Sequence, residues 1–191
     1  RILVLSFSKQ SVRVVGKALA KIGLQGAHVS TVHALALKLI QHDRRHTAAG
    51  STKTPLPPTV LSDIQARNLL RRAVLDLVRD RTREIKKLRD RKKCDLAAVN
   101  RLVKQRSWFR DLADSSTDQN ALLNLFAFSR ASHTPLRDLL NGSSAYAGQL
   151  APSIYPFREH RDLVHEIRRA FNERKREADA IDIGDMVRLA L

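Results

Sequence analysis

An unbroken apolar run, Ile2-Leu3-Val4-Leu5, passes into Ser6-Phe7-Ser8-Lys9. A short run with apolar side chains on both faces, closed by hydroxyls, reads as a buried parallel strand. Ser8 is placed to cap a helix beginning near Lys9, because its side-chain oxygen can accept from a first-turn amide. The plan then repeats, with a short strand at Ala27 to Val29 and Thr31 capping a helix that carries His33. From Thr47 to Pro58 the periodicity stops, and Gly50, Ser51, Pro55, Pro57 and Pro58 mark a linker with extended bias.

Beyond the linker the apolar spacing becomes helical. Ser62-Asp63-Ile64-Gln65 has capping-box form, followed by a stripe of Ala66, Leu69, Leu70, Ala73, Val74 and Leu77. A second helix is predicted from about Asp95, with Leu96, Val99, Leu102 and Val103 inward and Trp108 and Phe109 near its end. A third follows from about Asp118 with Leu122, Leu123 and Phe126. Thr134-Pro135 starts a short helix that Gly142 stops. A loop spans Asn141 to Pro156, and a long helix runs from Phe157 to Ala178 with Leu163, Val164, Ile167, Ala170 and Phe171 on its buried side. No internal repeat is evident.

Charge narrows the class of partner. The 191 residues carry 35 Lys and Arg against 19 Asp and Glu, a formal net charge of +16, and the pI is near 11.0. Such a balance attracts a polyanion, and nucleic acid is the leading one. A membrane surface is the competitor, but no apolar stretch approaches the roughly twenty residues of a spanning helix and no signal-peptide pattern is present. Cys94 is the single cysteine, which excludes an internal disulfide and an all-cysteine metal site. No histidine stands at ligand spacing from Cys or acids, so no metal is expected here. The chain reads as intracellular, cytosolic or nuclear. Its length allows one or two domains with a sizeable core.

The two strand-to-helix corners are the main candidates for binding chemistry. Side by side they would present two helix N-termini, the hydroxyls of Ser6, Ser8 and Thr31, the Lys9 ammonium, His33 and the ring of Phe7, which suits a phosphate backbone and a stacked base. The plainer reading makes Phe7 a core residue at a strand end and the hydroxyls turn and cap groups. A second candidate is the basic stretch Arg79 to Lys93, within which Arg81, Lys86, Lys87 and Arg89 would follow phosphates. Its plainer reading is a solvated helix and loop with intrahelical pairs such as Glu84 with Lys87. Asp182 and Asp185 stand three apart near a helix start with no His, Ser or Cys partner, and read as turn and dipole residues rather than an acid–base pair.

These blocks resemble conserved segments of superfamily 1 DNA helicases of the UvrD/Rep type. Ser6-Phe7-Ser8-Lys9-Gln10-Ser11-Val12 is similar to motif Ia, Thr-Phe-Thr-Asn-Lys-Ala-Ala, with a changed tail. Thr31-Val32-His33-Ala34 is similar to motif Ib, Thr-Phe-His-Ala, with Val for Phe. Phe171-Asn172-Glu173-Arg174-Lys175-Arg176, then Ala180-Ile181-Asp182-Ile183-Gly184-Asp185-Met186, resembles the helix and Leu-Asp-Phe-x-Asp-Leu segment that precede the Walker B strand. The resemblance implies an α/β motor-domain fragment with RecA-like parallel strands, dominated by a mostly α-helical inserted subdomain. It implies motor domain 1A over residues 1–46, a linker over 47–60, a helical 1B-like insertion over 61–156, and a return to 1A over 157–191.

It further implies an ATP-dependent helicase or translocase moving 3′ to 5′, with single-stranded DNA and a duplex junction as partners beside the remaining motor domains of the same polypeptide. ATP and Mg2+ would belong to the full-length parent. No Gly-x-x-x-x-Gly-Lys-Ser/Thr occurs in the sequence, and no Asp-Glu pair lies on an apolar strand. The chain is therefore expected to be an internal, catalytically inactive segment. Two rivals stay open: a non-enzymatic basic helical module that binds nucleic acid, and a degenerate helicase relative.

Overall fold

The computed structural model describes residues 2–6, 8–24, 26–47, 58–90, 95–144, 155–182 and 185. Phe7, most of the 47–60 linker, Arg91 to Cys94, most of the Asn141 to Pro156 loop, and Ile183 and Gly184 lie outside them. The chain divides into two units: Arg1–Thr59 with Ile183–Leu191, and Val60–Asp182.

In the first unit β1 (Ile2–Ser6) runs parallel to β2 (Ala27–Thr31), linked by α1 (Lys9–Lys21) and followed by α2 (Val32–Thr47). A parallel pair needs a crossover, and α1 provides it. Gly23, at φ 78°, turns the chain out of α1 in a conformation that a side chain would strain. β1 is not the buried strand that its composition predicts. Ile2, Leu3 and Leu5 are 49%, 52% and 44% exposed, because among the described residues the strand has one neighbour and no sheet on its other edge.

The second unit is a helical assembly: α3 (Asp63–Arg89), α4 (Leu96–Asp114), α5 (Ser116–Ala131), α6 (Leu136–Asn141), a 3-10 helix (Tyr155–His160) and α7 (Arg161–Glu177). Ser62 and Gln65 close the capping box at the start of α3. Asp95 accepts from the Ala98 amide at 3.0 Å and Ser115 from that of Asp118 at 3.2 Å, so α5 begins before Asp118. Gly142, at φ 74°, terminates α6 as its position predicts. The long helix expected from Phe157 is broken: its first turn is 3-10, and no side chain caps α7 at His160. Leu96, expected inward, sits on the first turn of α4 and is 70% exposed.

The core of this unit is built on Phe109, Phe126, Phe157 and Phe171, packed with Leu70, Val74, Leu122, Leu139 and Ile167. A short pair, β3 (Thr59–Val60) with β4 (Ala180–Ile181), brings its ends together, and the Leu61 amide donates to the Ile181 carbonyl at 2.9 Å.

Helix occupies 77% of the described residues, and sheet is limited to two two-stranded pairs. This overturns the expected α/β, RecA-like motor-domain fragment. A doubly wound sheet needs several parallel strands covered by helices on both faces. Among the described residues only 2–6 and 27–31 form a parallel pair of that kind of length, while most of the other described apolar positions recur at three and four and fold as helices. The protein is mostly helical. No helix among the described residues is long and apolar enough to cross a membrane.

Candidate nucleic-acid interface

The register of the parallel pair sets Ser6 opposite Thr31, so both strands leave the sheet at the same, C-terminal end and each is followed by a helix. At the first corner Ser8 has extended backbone, and its Oγ accepts from the Ser11 amide at 3.0 Å and lies 2.8 Å from the Ser11 hydroxyl. The Ser8 amide in turn reaches Ser6 Oγ at 3.4 Å. At the second corner Thr31 Oγ1 accepts from the Ala34 amide at 3.1 Å. Each cap satisfies one of the four free amides at its helix start, and those left over are donors for an anion.

Lys9 occupies the first position of α1 and is exposed; His33 occupies the second position of α2 and is half-buried. Ser6, Ser8, Lys9, Thr31 and His33 therefore gather at the C-terminal end of one small parallel sheet. Phe7, the proposed stacking ring between the two serines, lies outside the described residues.

The basic stretch separates into two kinds of cation. Its first half is tied up: Arg79 pairs with Asp76 at 3.0 Å and Arg83 with Asp80 at 3.3 Å. Arg81 is the most committed of all. It donates to Glu166 Oε2 at 2.6 Å and Gln105 Oε1 at 2.8 Å, meets Glu84 at 3.3 Å, and lies 5.8 Å over the Phe109 ring. Its side chain is only 12% exposed. Arg81 thus joins α3 to α4 and α7 and leaves little for a phosphate. Glu84 takes Arg81, not Lys87, as its partner.

Lys86, Lys87 and Arg89, by contrast, are exposed on the last turn of α3 and make no ion pair among the described residues. Ile85, between them and the paired half, is buried and anchors this end of the helix. The three cations sit where they also meet the negative end of the helix dipole.

Asp182 is held by two buried cations: Arg130 Nη2 at 2.7 Å and Lys175 Nζ at 3.0 Å, both on Oδ2. It is a structural counter-ion. Arg130 had no sequence signal, because nothing in local spacing connects residues 52 apart, whereas Lys175 stands seven residues from Asp182.

Among the described residues no three His, Cys, Asp or Glu gather as metal ligands. No protein-family model, curated protein or solved structure matches the chain.

Proposed function

We propose that this chain supplies DNA contacts to an ATP-dependent DNA helicase or translocase of the superfamily 1 type. The observation that carries the reading is the shared C-terminal end of the sheet, where two capped helix starts, Ser6, Ser8, Lys9, Thr31 and His33 come together in the order of the motif-like blocks. Single-stranded DNA crosses this end of the sheet, with phosphates on the free helix amides and hydroxyls and a base on Phe7. The last turn of α3, with Lys86, Lys87 and Arg89, lies against duplex phosphates and positions DNA without reading its sequence. No residue of the chain is assigned to ATP or magnesium, since its sequence holds no phosphate loop. Hydrolysis and 3′-to-5′ stepping belong to the parent polypeptide.

The mostly helical fold and the net charge of +16 favour a second reading, a non-enzymatic basic module that binds nucleic acid. DNA-stimulated ATPase of the parent separates the two. In the parent, Phe7→Ala is expected to weaken oligothymidine binding by about 1–3 kcal/mol, the worth of one stacked base, and to reduce ATPase stimulation while the melting temperature holds. Normal binding and stimulation in that variant would remove Phe7 from the track. A core role would instead cost about 3–5 kcal/mol of folding stability.

The α3 contacts have their own signature. Replacing Lys86, Lys87 and Arg89 by Gln is expected to weaken duplex binding equally for unrelated sequences. It should also flatten the slope of log affinity against log salt by about 2–3, close to 0.9 for each phosphate contact. An unchanged slope returns the three side chains to plain solvent.

A further inference from the structure

A cleft of about 820 Å³ opens in the helical unit between α4, α6 and the junction of the 3-10 helix with α7. Its size falls in the range of roughly 300–1,000 Å³ usual for small-molecule sites. Trp108 and His160 line it, their rings 4.5 Å apart and inclined by 39°. Arg101 and Lys104, on successive turns of α4, are exposed and make no ion pair among the described residues. Arg137 and Arg161 complete the cationic lining. Arg137 meets Asp138 at 3.2 Å, and Arg161 is oriented by the Asn141 side chain and the Arg158 carbonyl, the latter at 3.0 Å. Two carboxylates, Glu159 and Asp162, also border the cleft, so four permanent cations face two acids.

Aromatic ring surface bordered by excess cations, with Asn100 and Asn141 also in the lining, is the chemistry that recognises a phosphorylated nucleoside. We propose that this cleft takes one unstacked nucleotide of a single strand, its base against Trp108 and His160 and its flanking phosphates on Arg101 and Lys104. The inference shares with the proposed function only the class of ligand. Its residues all belong to Val60–Asp182 and include none of the sheet-end or α3 contacts.

Trp108 is the single tryptophan, so its emission reports on this cleft alone. The test titrates the full chain with end-labelled oligothymidine, following label anisotropy and Trp108 emission together. Quenching should track the anisotropy rise. Arg101→Gln with Lys104→Gln should loosen binding about 10-fold, reduce the salt slope by about 1.4 and diminish the quench, since each single-strand phosphate contact contributes about 0.7. Both side chains are exposed, so the variant should melt like the parent chain.

Anisotropy that rises while emission stays constant places the strand elsewhere and overturns the cleft while leaving the nucleic-acid reading intact. No anisotropy change overturns both. Quenching that survives in the double variant removes the phosphate contacts and with them the proposal. Thymidine monophosphate that quenches as tightly as the oligomer makes the cleft a free-nucleotide pocket and overturns the strand assignment.

Discussion

Asp182→Ala is expected to destabilise the helical unit by about 3–5 kcal/mol, the cost of removing one partner from a buried charge cluster. The Arg130, Lys175 and Asp182 side chains are 8%, 6% and 13% exposed, and both cations converge on one carboxylate oxygen. Lys175 also lies 4.9 Å from the Phe171 ring centre, inside the aromatic core. Truncation leaves both cations without this counter-charge in surroundings that solvate them poorly. For a chain of this size the loss corresponds to a melting shift of about 6–20 °C, read from Trp108 emission so that the helical unit alone is followed. Apolar replacement of all three side chains, Arg130→Met, Asp182→Leu and Lys175→Met, should recover part of the loss, because their desolvation cost disappears together with the attraction. A shift under about 2 °C for Asp182→Ala would show that water reaches the cluster and that its charges are screened.

What was legible in the sequence is local chemistry. The Ser62–Gln65 box, the caps at Ser8 and Thr31, the helix start near Asp95 and the stop at Gly142 each depend on residues within a few positions of one another, and each forms. The stripe Ala66, Leu70, Ala73, Val74 and Leu77 is buried for the same reason: a helix converts spacing directly into a face. The fold class was not legible. Ile2 to Leu5 has the composition of a central strand, and composition alone cannot tell a strand with two neighbours from one with a single neighbour and exposed leucines.

Ion pairing was legible only in part. Glu84 could be matched to a cation on its own helix, yet the preference for Arg81 follows from Glu166, 85 residues from Arg81, and Gln105 holding that guanidinium in place. The division of the basic stretch into the paired Arg79, Arg81 and Arg83 and the exposed Lys86, Lys87 and Arg89 is likewise a fact of the folded structure. Charge counting treats Arg81 and Lys86 alike. Burial separates them.

Arg81→Gln should therefore behave unlike its neighbours. The substitution keeps a polar group but removes the 2.6 Å pair with Glu166, the bond to Gln105 and the cation over Phe109. Glu166, 19% exposed, is left without that guanidinium at the α3–α7 contact. The expected cost is about 2–4 kcal/mol of stability, below the about 3–5 of a fully buried pair because some solvent reaches both groups. DNA affinity, measured at a temperature where the variant is folded, should change by less than about twofold, and the salt slope should stay as it is, since no phosphate contact is lost. Replacing Lys86, Lys87 and Arg89 should give the reverse pattern: stability within about 0.5 kcal/mol, as for exposed surface positions, and a flatter salt slope. Replacing the pair with apolar residues, Arg81→Met with Glu166→Leu, should restore much of the stability without altering DNA binding. If Arg81→Gln instead melts like the parent chain and flattens the slope by about 0.9, Arg81 leaves Glu166 to reach a phosphate, and the whole basic stretch, not only its last turn, is the DNA contact.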